Sequence, residues 1–281
     1  MASSSSELAI LPPGFSLERA ARAPPSLPFP LPLMHLDHLA LATPDPNAAL
    51  ASLVGDLGAT VLGGGDAIGF RWVQVFLGHD QAPNSGMKLE LITPWEPENN
   101  DFLQRFIARH GEGPHHLTFK VSNLAAELSR LRDLGFEPVG VNLSNPEWRE
   151  AFLLPRQSHG TVVQLAESSI DPKFAIDEYR RAQSSGPVGT PFWWPAMETT
   201  APKSCLAQIV LRSADPQATT DFFCSVLGGK VEGSDLVWPG GGRIKIVTAG
   251  SETPGVSHLE LENPQNHELT RKQIIAGIAF E

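Results

Sequence analysis

The 281-residue sequence has little of several residue types that mark common classes of protein. It contains two cysteines, Cys205 and Cys224, without metal-type spacing, so disulfides are not expected and a reducing cytosol is the simplest location. Acidic residues exceed basic ones, and the formal net charge of −10 argues against nucleic-acid binding. The chain also lacks a run of the roughly 20 apolar residues that a membrane helix needs.

Residues 1–33 differ in composition from the rest of the chain. They are rich in Ser, Pro and Ala, and they lack the continuous apolar core of a signal peptide. Prolines sustain neither a helix nor a central strand, so we expect a flexible or surface-draped extension. Glu7 and Glu18 are untypical of a transit peptide, but a role of this segment in organellar targeting stays open.

The remainder of the chain repeats one pattern of strand, turn, helix and strand. The stretches "LDHLALATPDP" from Leu36 and "LAQIVLRSADP" from Leu206 begin alike, with an alternating apolar strand and an Asp-Pro turn that favours helix initiation. Similar starts follow at His115 and Val256. The pattern predicts an α+β fold of βαβββ half-modules at about residues 36–95, 113–168, 203–249 and, truncated, 256–281.

These half-modules suggest four regions. We expect an N-terminal extension (1–33), a first module (34–170), a Pro/Gly/Ser-rich linker (171–202) and a degenerate second module (203–281). The aromatic centre of the linker, Phe192, Trp193 and Trp194, is expected to pack onto another part of the protein. The triple glycine Gly63-Gly64-Gly65 lacks the lysine and helix of a phosphate-binding loop, so it is interpreted as a hairpin turn.

Four ordered segments carry a resemblance to a known family: "LDHLALATPDP", "KLELITP" (88–94), "ENNDFLQRFIARHGEGPHHLTFKV" (98–121) and "HGTVVQLAE" (159–167). Their succession resembles the vicinal-oxygen-chelate superfamily, which includes glyoxalase I, extradiol dioxygenases and methylmalonyl-CoA epimerase. The epimerase-like branch is the most similar. The resemblance implies that tandem half-modules form a cupped mixed sheet with helices outside.

The resemblance also implies a metal site in the cup. Position by position, its ligands are His38, Glu90, His116 and Gln164, which suit a divalent ion such as Zn, Co, Ni, Mn or Fe. The separations are similar in the two half-modules, 52 residues (90 − 38) and 48 residues (164 − 116). Because neighbouring side chains of a strand point to opposite faces, His115 is expected on the back of the sheet.

Such an ion stabilises an enolate, so the expected reaction is proton transfer beside a carbonyl. The epimerases usually carry a glutamate at the fourth ligand position, where it takes part in proton transfer, and here Gln164 cannot act as a base. The remaining candidate bases are Glu90, released from the metal, Asp66, and His159, which we rank first because it precedes the last ligand strand. Trp95 and Arg149 are candidate substrate-binding residues.

The second module lacks this ligand set. Gln208, Lys245 and His258 stand where the first module has His38, Glu90 and His116, and a lysine repels a divalent cation. We therefore expect this module to bind no metal, and to cover the first module or to mediate pairing. A homodimer stays open.

The sequence thus predicts a cytoplasmic, metal-dependent isomerase or lyase of the glyoxalase-like or epimerase-like kind. Its substrate is expected to be a small oxygenated acid or a thioester, and neither nucleic acid nor membrane is an expected partner. Two alternatives stay open: an Fe(II)-dependent extradiol-type dioxygenase, and a non-catalytic protein that sequesters a small ligand in the cup.

Overall fold

The computed structural model describes residues 34–78, 86–168, 193–195, 197, 204–262 and 272–281. The expectations for residues 1–33 and for most of the linker therefore lie outside the described residues. The described chain forms two mixed sheets with helices between their strands, and each sheet is built from the strands of one module. This confirms the predicted α+β class and the tandem βαβββ arrangement.

The first sheet has eight strands in the order β2-β3-β4-β1-β5-β8-β7-β6. In each half-module the first strand pairs in parallel with the last, and the two half-modules join through the antiparallel pair β1 and β5. The sheet centre therefore holds the strands expected to carry the ligands. The strands are β1 (His35–Ala42), β2 (Thr60–Ala67), β3 (Phe70–Gly78), β4 (Gly86–Pro94), β5 (Gly113–Lys120), β6 (Val139–Asn142), β7 (Arg149–Leu153) and β8 (Val162–Glu167).

The second sheet follows the same plan with seven strands, in the order β10-β11-β12-β9-β13-β15-β14. Its centre is again an antiparallel pair, β9 with β13, flanked by the parallel pairs β9–β12 and β13–β15. Two described strands follow β13. The strands are β9 (Cys205–Ser213), β10 (Lys230–Glu232), β11 (Asp235–Val237), β12 (Arg243–Thr248), β13 (Gly255–Glu262), β14 (Gln273–Ile275) and β15 (Ile278–Phe280).

The helices begin where the sequence predicts helix initiation. Asp45 and Asp215 each accept a hydrogen bond from the backbone N–H three residues later, and a proline follows each of them at the first helical position. No helix among the described residues has the length and apolarity of a membrane-crossing segment. The helices are α1 (Pro46–Leu50), which continues as a π-helical stretch (Ala51–Asp56), α2 (Phe102–His110), α3 (Leu124–Asp133) and α4 (Pro216–Ser225).

One hydrophobic core joins the two modules. Phe119 of β5 is fully buried, and its ring centroid lies 6.2 Å from that of Phe223 in α4 and 5.3 Å from that of Trp238. The chain from Pro32 to Glu281 accordingly forms one compact unit. Phe119 alternates with Thr118, so the second module covers the face of the first sheet opposite to Thr118.

The triple glycine is not a hairpin turn. It lies inside β2, and the chain turns at Ile68 and Gly69 instead. A Cβ atom on Gly64 would approach the ring of Trp194 to 2.5 Å. The absent side chain thus makes room for Trp194, which is 2 % exposed. This contact confirms that the aromatic centre of the linker packs onto a module.

Candidate metal centre

Three side chains that can bind a metal converge at the centre of the first sheet. His38 comes from β1, Glu90 from β4 and His116 from β5, and one potential ligand atom of each lies within 4.8 Å of the others. Their exposed fractions are 1 %, 9 % and 6 %. We call the face of the first sheet that carries these residues the cup face. Two imidazoles and a carboxylate are a donor set that suits divalent transition metals.

The partners of His38 and Glu90 orient both side chains. His38 Nδ1 lies 2.8 Å from Asp37 Oδ2, and its Nε2 lies 3.7 Å from Glu90 Oε2. Gln74 Nε2 donates a hydrogen bond to the same Glu90 oxygen at 2.8 Å. A histidine ligand whose other ring nitrogen meets a carboxylate is common around metal sites, because that contact fixes the orientation of the ring.

His116 carries the strongest sign that a partner belongs in the cluster. Its Nε2 is buried and has no hydrogen-bond partner. Burial, and then the neighbouring His115 and His38, hold the pKa of His116 well below its usual value. The ring is therefore neutral at neutral pH and presents a lone pair, which is the form that binds a metal. The residues present fit a divalent ion.

Gln164 of β8 lies beside this cluster but is bound to other side chains. Thr118 Oγ1 lies 2.9 Å from His38 Nε2 and donates a hydrogen bond to Gln164 Oε1 at 2.6 Å. Gln164 Nε2 donates in turn to Glu150 Oε2 at 2.8 Å, and Trp148 Nε1 donates to the same oxygen at 3.0 Å. Because an amide oxygen has two lone pairs, Gln164 Oε1 could bind an ion while it accepts the hydrogen bond from Thr118.

His115 does not lie on the back of the sheet. It is the extra residue of a β-bulge, because Pro114 and His116 pair with the consecutive residues Leu41 and Ala40 of β1. The bulge breaks the alternation of side chains, and His115 Nδ1 reaches 2.7 Å from His116 Nδ1. Burial lowers the pKa of His115 to about 4, so it is a neutral partner of His116.

Asp37 occupies a second bulge, between Leu36 and His38. Its Oδ1 accepts a hydrogen bond from Lys88 Nζ at 2.6 Å, while its Oδ2 faces His38. Burial on its own raises the pKa of Asp37, but Lys88 and the contact with His38 outweigh it and hold the pKa well below its usual value. The carboxylate next to His38 is therefore ionised throughout the range in which proteins are usually studied.

Helix α2 covers one end of the cup face. Its fully buried Leu103 packs against Ala40, Ala42 and Ile92, which are small or apolar residues on the same face as His38 and Glu90. Phe106 of the same helix lies 4.6 Å, centroid to centroid, from His115. The connection between the half-modules thus shields the cluster from water on this side.

Two expected site residues lie elsewhere. The ring centroid of His159 lies 5.3 Å from that of Phe222 in α4, on the side of the core, so His159 does not stand at the rim of the cup. Arg149 Nη1 donates to Glu167 Oε1 at 2.6 Å, and Glu167 also caps α3 through the N–H of Leu124. Arg149 and Glu167 both face the helix side because they alternate with Glu150 and Ala166 on the cup face.

Trp95 and Asp66 meet through one arginine. The guanidinium carbon of Arg71 lies 3.2 Å from the ring centroid of Trp95, and Arg71 Nε donates to Asp66 Oδ1 at 2.9 Å. Asp66 is more than half exposed. Its described contact is with Arg71 and not with a residue of the cluster, so Asp66 is no longer a candidate base. A role of Trp95 in substrate binding stays a prediction.

Sequence reasoning missed three residues of the site: Asp37, Thr118 and Glu150. Once the strand pairing is known, alternation places Thr118 and Glu150 on the cup face. Thr118 pairs with Gln164, and Phe152, two residues after Glu150 on the same strand, pairs with that glutamine as well. The register between β7 and β8 was not readable from the sequence. Asp37 carries no such signal, because only the bulge turns it towards the site.

The second sheet has an equivalent group of polar side chains, and its positive charge is the ammonium of Lys245. Its register confirms that Gln208, Lys245 and His258 match the ligand positions. It also shows that Glu260 stands at the position equivalent to Thr118. Lys245 Nζ donates to Glu260 Oε1 at 3.2 Å, and Gln208 Nε2 donates to Glu260 Oε2. Among the described residues, the only group of histidine, cysteine and acidic side chains that could hold a metal ion is that of the first module.

Comparisons with known proteins agree with this fold. Residues 37–152 match the family model of the Glyoxalase/Bleomycin resistance protein/Dioxygenase superfamily, which confirms the superfamily predicted for this part of the chain. No curated protein matches the sequence significantly.

Solved structures match the chain over different lengths. A hypothetical protein from Staphylococcus aureus is 10 % identical and has a TM-score of 0.56 over 88 % of this chain and 98 % of its own. Methylmalonyl-CoA epimerase from Mycobacterium tuberculosis is 24 % identical over 52 % of this chain and 95 % of its own, with a TM-score of 0.43. A hypothetical protein from Bacillus halodurans is 23 % identical over 49 % and 96 %, with a TM-score of 0.42.

Proposed function

We propose that this chain, which carries a domain of the Glyoxalase/Bleomycin resistance protein/Dioxygenase superfamily at residues 37–152, is a metal-dependent enzyme that transfers a proton beside a carbonyl group. The observation that carries the proposal is the unpartnered, buried Nε2 of His116 within reach of His38 and Glu90. An orphaned buried nitrogen costs stability unless a partner binds it, so functional sites are where such atoms persist.

His38, Glu90 and His116 hold the divalent ion, with Gln164 as the fourth ligand. When bound, the ion supplies positive charge next to two neighbouring oxygens of a substrate and stabilises negative charge as it develops there. An isomerase would return the proton to another face or atom of the substrate, whereas a lyase would expel a leaving group from the carbon next to the one that lost its proton. The substrate is a small oxygenated acid or its thioester.

Glu150 is the best-placed candidate base. It lies on the cup face next to Gln164, and its Oε2 accepts from Gln164 and Trp148, which orients the carboxylate while Oε1 has no partner among the described residues. The carboxylate that Gln164 lacks is thus present on the neighbouring strand. Glu90 remains the second candidate, since its Oε2 lies 3.7 Å from His38 Nε2 and is oriented by the hydrogen bond from Gln74.

The first test is the metal content of the purified protein. We expect about one equivalent after dialysis in the parent and little in His116→Ala. His258→Ala is the matched control, because it removes the equivalent histidine of the second sheet and is expected to leave the metal content unchanged. A parent that holds no metal and gains none on reconstitution contradicts the proposal and favours a protein that sequesters its ligand.

The metal and its chemistry separate proton transfer from the dioxygenase alternative. His38, His116 and Glu90 also form the two-histidine, one-carboxylate set of non-haem iron oxygenases. Proton transfer predicts that a substrate α-proton exchanges with deuterated water in the absence of oxygen. Oxygen consumption that depends on ferrous iron, without such exchange, favours the dioxygenase.

A further inference from the structure

Lys120 is an unneutralised cation on the cup face. It follows His116 and Thr118 at alternate positions of β5, so the three side chains share one face of the strand. Its Nζ lies 4.7 Å from the ring centroid of Trp148. Among the described residues, no carboxylate lies within ion-pair distance of Lys120, whereas the nearby Lys88 is paired with Asp37.

The surroundings of Lys120 leave its charge poorly compensated. Burial lowers the pKa of Lys120; Asp37 and Glu90 act in the opposite direction from a distance, and Lys88 adds to the lowering. A half-buried ammonium that meets only an aromatic face retains unused hydrogen-bond donors. Such a group stabilises an anion more than an exposed lysine does, because less water competes.

The charges of the cup favour an anionic substrate once an ion is bound. Three carboxylates (Asp37, Glu90 and Glu150) and two ammonium groups (Lys88 and Lys120) lie on this face, which amounts to a charge of −1. A divalent ion in the cluster would change that to +1, and this positive charge would attract an anion.

The other cations near the site are already paired. Arg149 is bound to Glu167 on the helix side, and Lys88 is held by Asp37 at 2.6 Å. Neither can bind a substrate without losing its partner. Of these three cations, Lys120 is therefore the one whose hydrogen-bond donors are free for a carboxylate.

We propose that Lys120, supported by the ring of Trp148, binds a carboxylate of the substrate and makes the cup selective for small acids that carry a carboxylate beyond the pair of oxygens at the metal cluster. This inference rests on the proposed function and assigns the substrate class of the same site. Lys120 is thus a specificity-determining residue. The selected compounds are dicarboxylic hydroxy- or oxo-acids, or thioesters with a free carboxylate.

Two probes that differ in one group test this selectivity. Malate and 2-hydroxybutyrate share a hydroxy-acid group that can chelate a metal, but malate has a second carboxylate where 2-hydroxybutyrate has a methyl group. Calorimetric titration of the metal-loaded parent is expected to show about tenfold tighter binding of malate. Lys120→Met is expected to bind the two within about twofold of each other, while Lys120→Arg retains most of the preference.

Metal content and thermal unfolding of each variant are measured first, so that failure of the fold or of the cluster is recognised. A parent that does not prefer malate, or a Lys120→Met variant that prefers it as strongly as the parent, overturns the inference. If the parent takes up no metal, the proposed function fails separately. Malate binding by metal-free parent and Lys120→Met then decides the role of Lys120 on its own: a loss in the variant supports it, and equal affinity overturns it.

Discussion

Asp37 and His115 occupy matching β-bulges on the antiparallel strands β1 and β5, each immediately before a histidine of the metal-binding cluster. Each contacts the Nδ1 atom of the histidine that follows it, at 2.8 Å and 2.7 Å. The second sheet repeats the device, since Ser257 is the extra residue before His258 and its Oγ lies 2.9 Å from Nδ1 of that ring. The bulges thus supply the outer partners that orient the rings.

Removing the charge of Asp37 is expected to weaken metal binding. Asp37→Asn takes the carboxylate away from His38 Nδ1 and leaves Lys88 without its partner. We expect the dissociation constant for zinc, measured by competition with a chelating dye, to rise by about 10- to 100-fold. Asp66→Asn is the control, because that carboxylate is exposed and pairs with Arg71. Equal affinities of the two variants contradict an orienting role of Asp37.

Restoring a carboxylate at position 164 is expected to have opposite effects with and without metal. In Gln164→Glu the new carboxylate replaces an amide that donates to Glu150 Oε2 at 2.8 Å, so two like charges meet. The metal-free variant should therefore unfold at a lower temperature than the parent. With zinc present the order should reverse, since a charged ligand binds the ion more strongly. Lower stability of the variant in both conditions argues against position 164 as a ligand.

Glu150→Gln tests the candidate base. The amide still accepts from Trp148, so the loop geometry is expected to persist, but the side chain no longer accepts a proton. For any acid or thioester whose α-proton the parent exchanges, we expect the rate to fall by about 10²- to 10⁴-fold at unchanged metal content. Glu147→Gln, an exposed neighbour, should leave the rate unaltered. An unaltered exchange rate in Glu150→Gln contradicts Glu150 as the base and favours Glu90.

The stability of the metal-free protein should depend on His115 between pH 7 and pH 5. The folded pKa of about 4 lies below the ordinary value of 6.5, so the unfolded chain binds the proton first as the pH falls. Stability is full above pH 6.5 and decreases towards pH 4. At pH 5 the loss amounts to about 2 kcal/mol. Measured by denaturant unfolding, the free energy of unfolding of the parent should therefore fall relative to that of His115→Gln as the pH decreases. A difference that stays constant with pH contradicts the assignment.

The shared core predicts that the two modules unfold together. Phe119→Ala removes a buried ring that contacts Phe223 and Trp238 of the second module, and is expected to cost about 3–5 kcal/mol. Calorimetry should show a single unfolding transition for both proteins, and that of Phe119→Ala should lie at a lower temperature than that of the parent. Ile274→Ala, at a side chain that is 70 % exposed, should shift it little. Two separate transitions in the parent show that the modules are independent.

The half-modules and the strands that carry His38, Glu90 and His116 could be predicted because strand alternation and Asp-Pro helix starts are local signals. Leu89 and Leu91, which alternate with Glu90 along β4, lie in the main core as the same alternation requires. His115 was placed on the wrong face because a bulge depends on pairing between distant strands. His159 and Arg149 were assigned to the substrate site for a related reason. The helices α3 and α4 cover the side on which these two residues lie, and that packing depends on the whole fold.

In the second sheet, the ammonium of Lys245 is paired with Glu260. That half of the architecture carries its own positive charge, and the core that joins it to the first sheet contains no ligand residue. We therefore expect the fold to form without an ion at His38, Glu90 and His116, and to keep the same shape with and without metal.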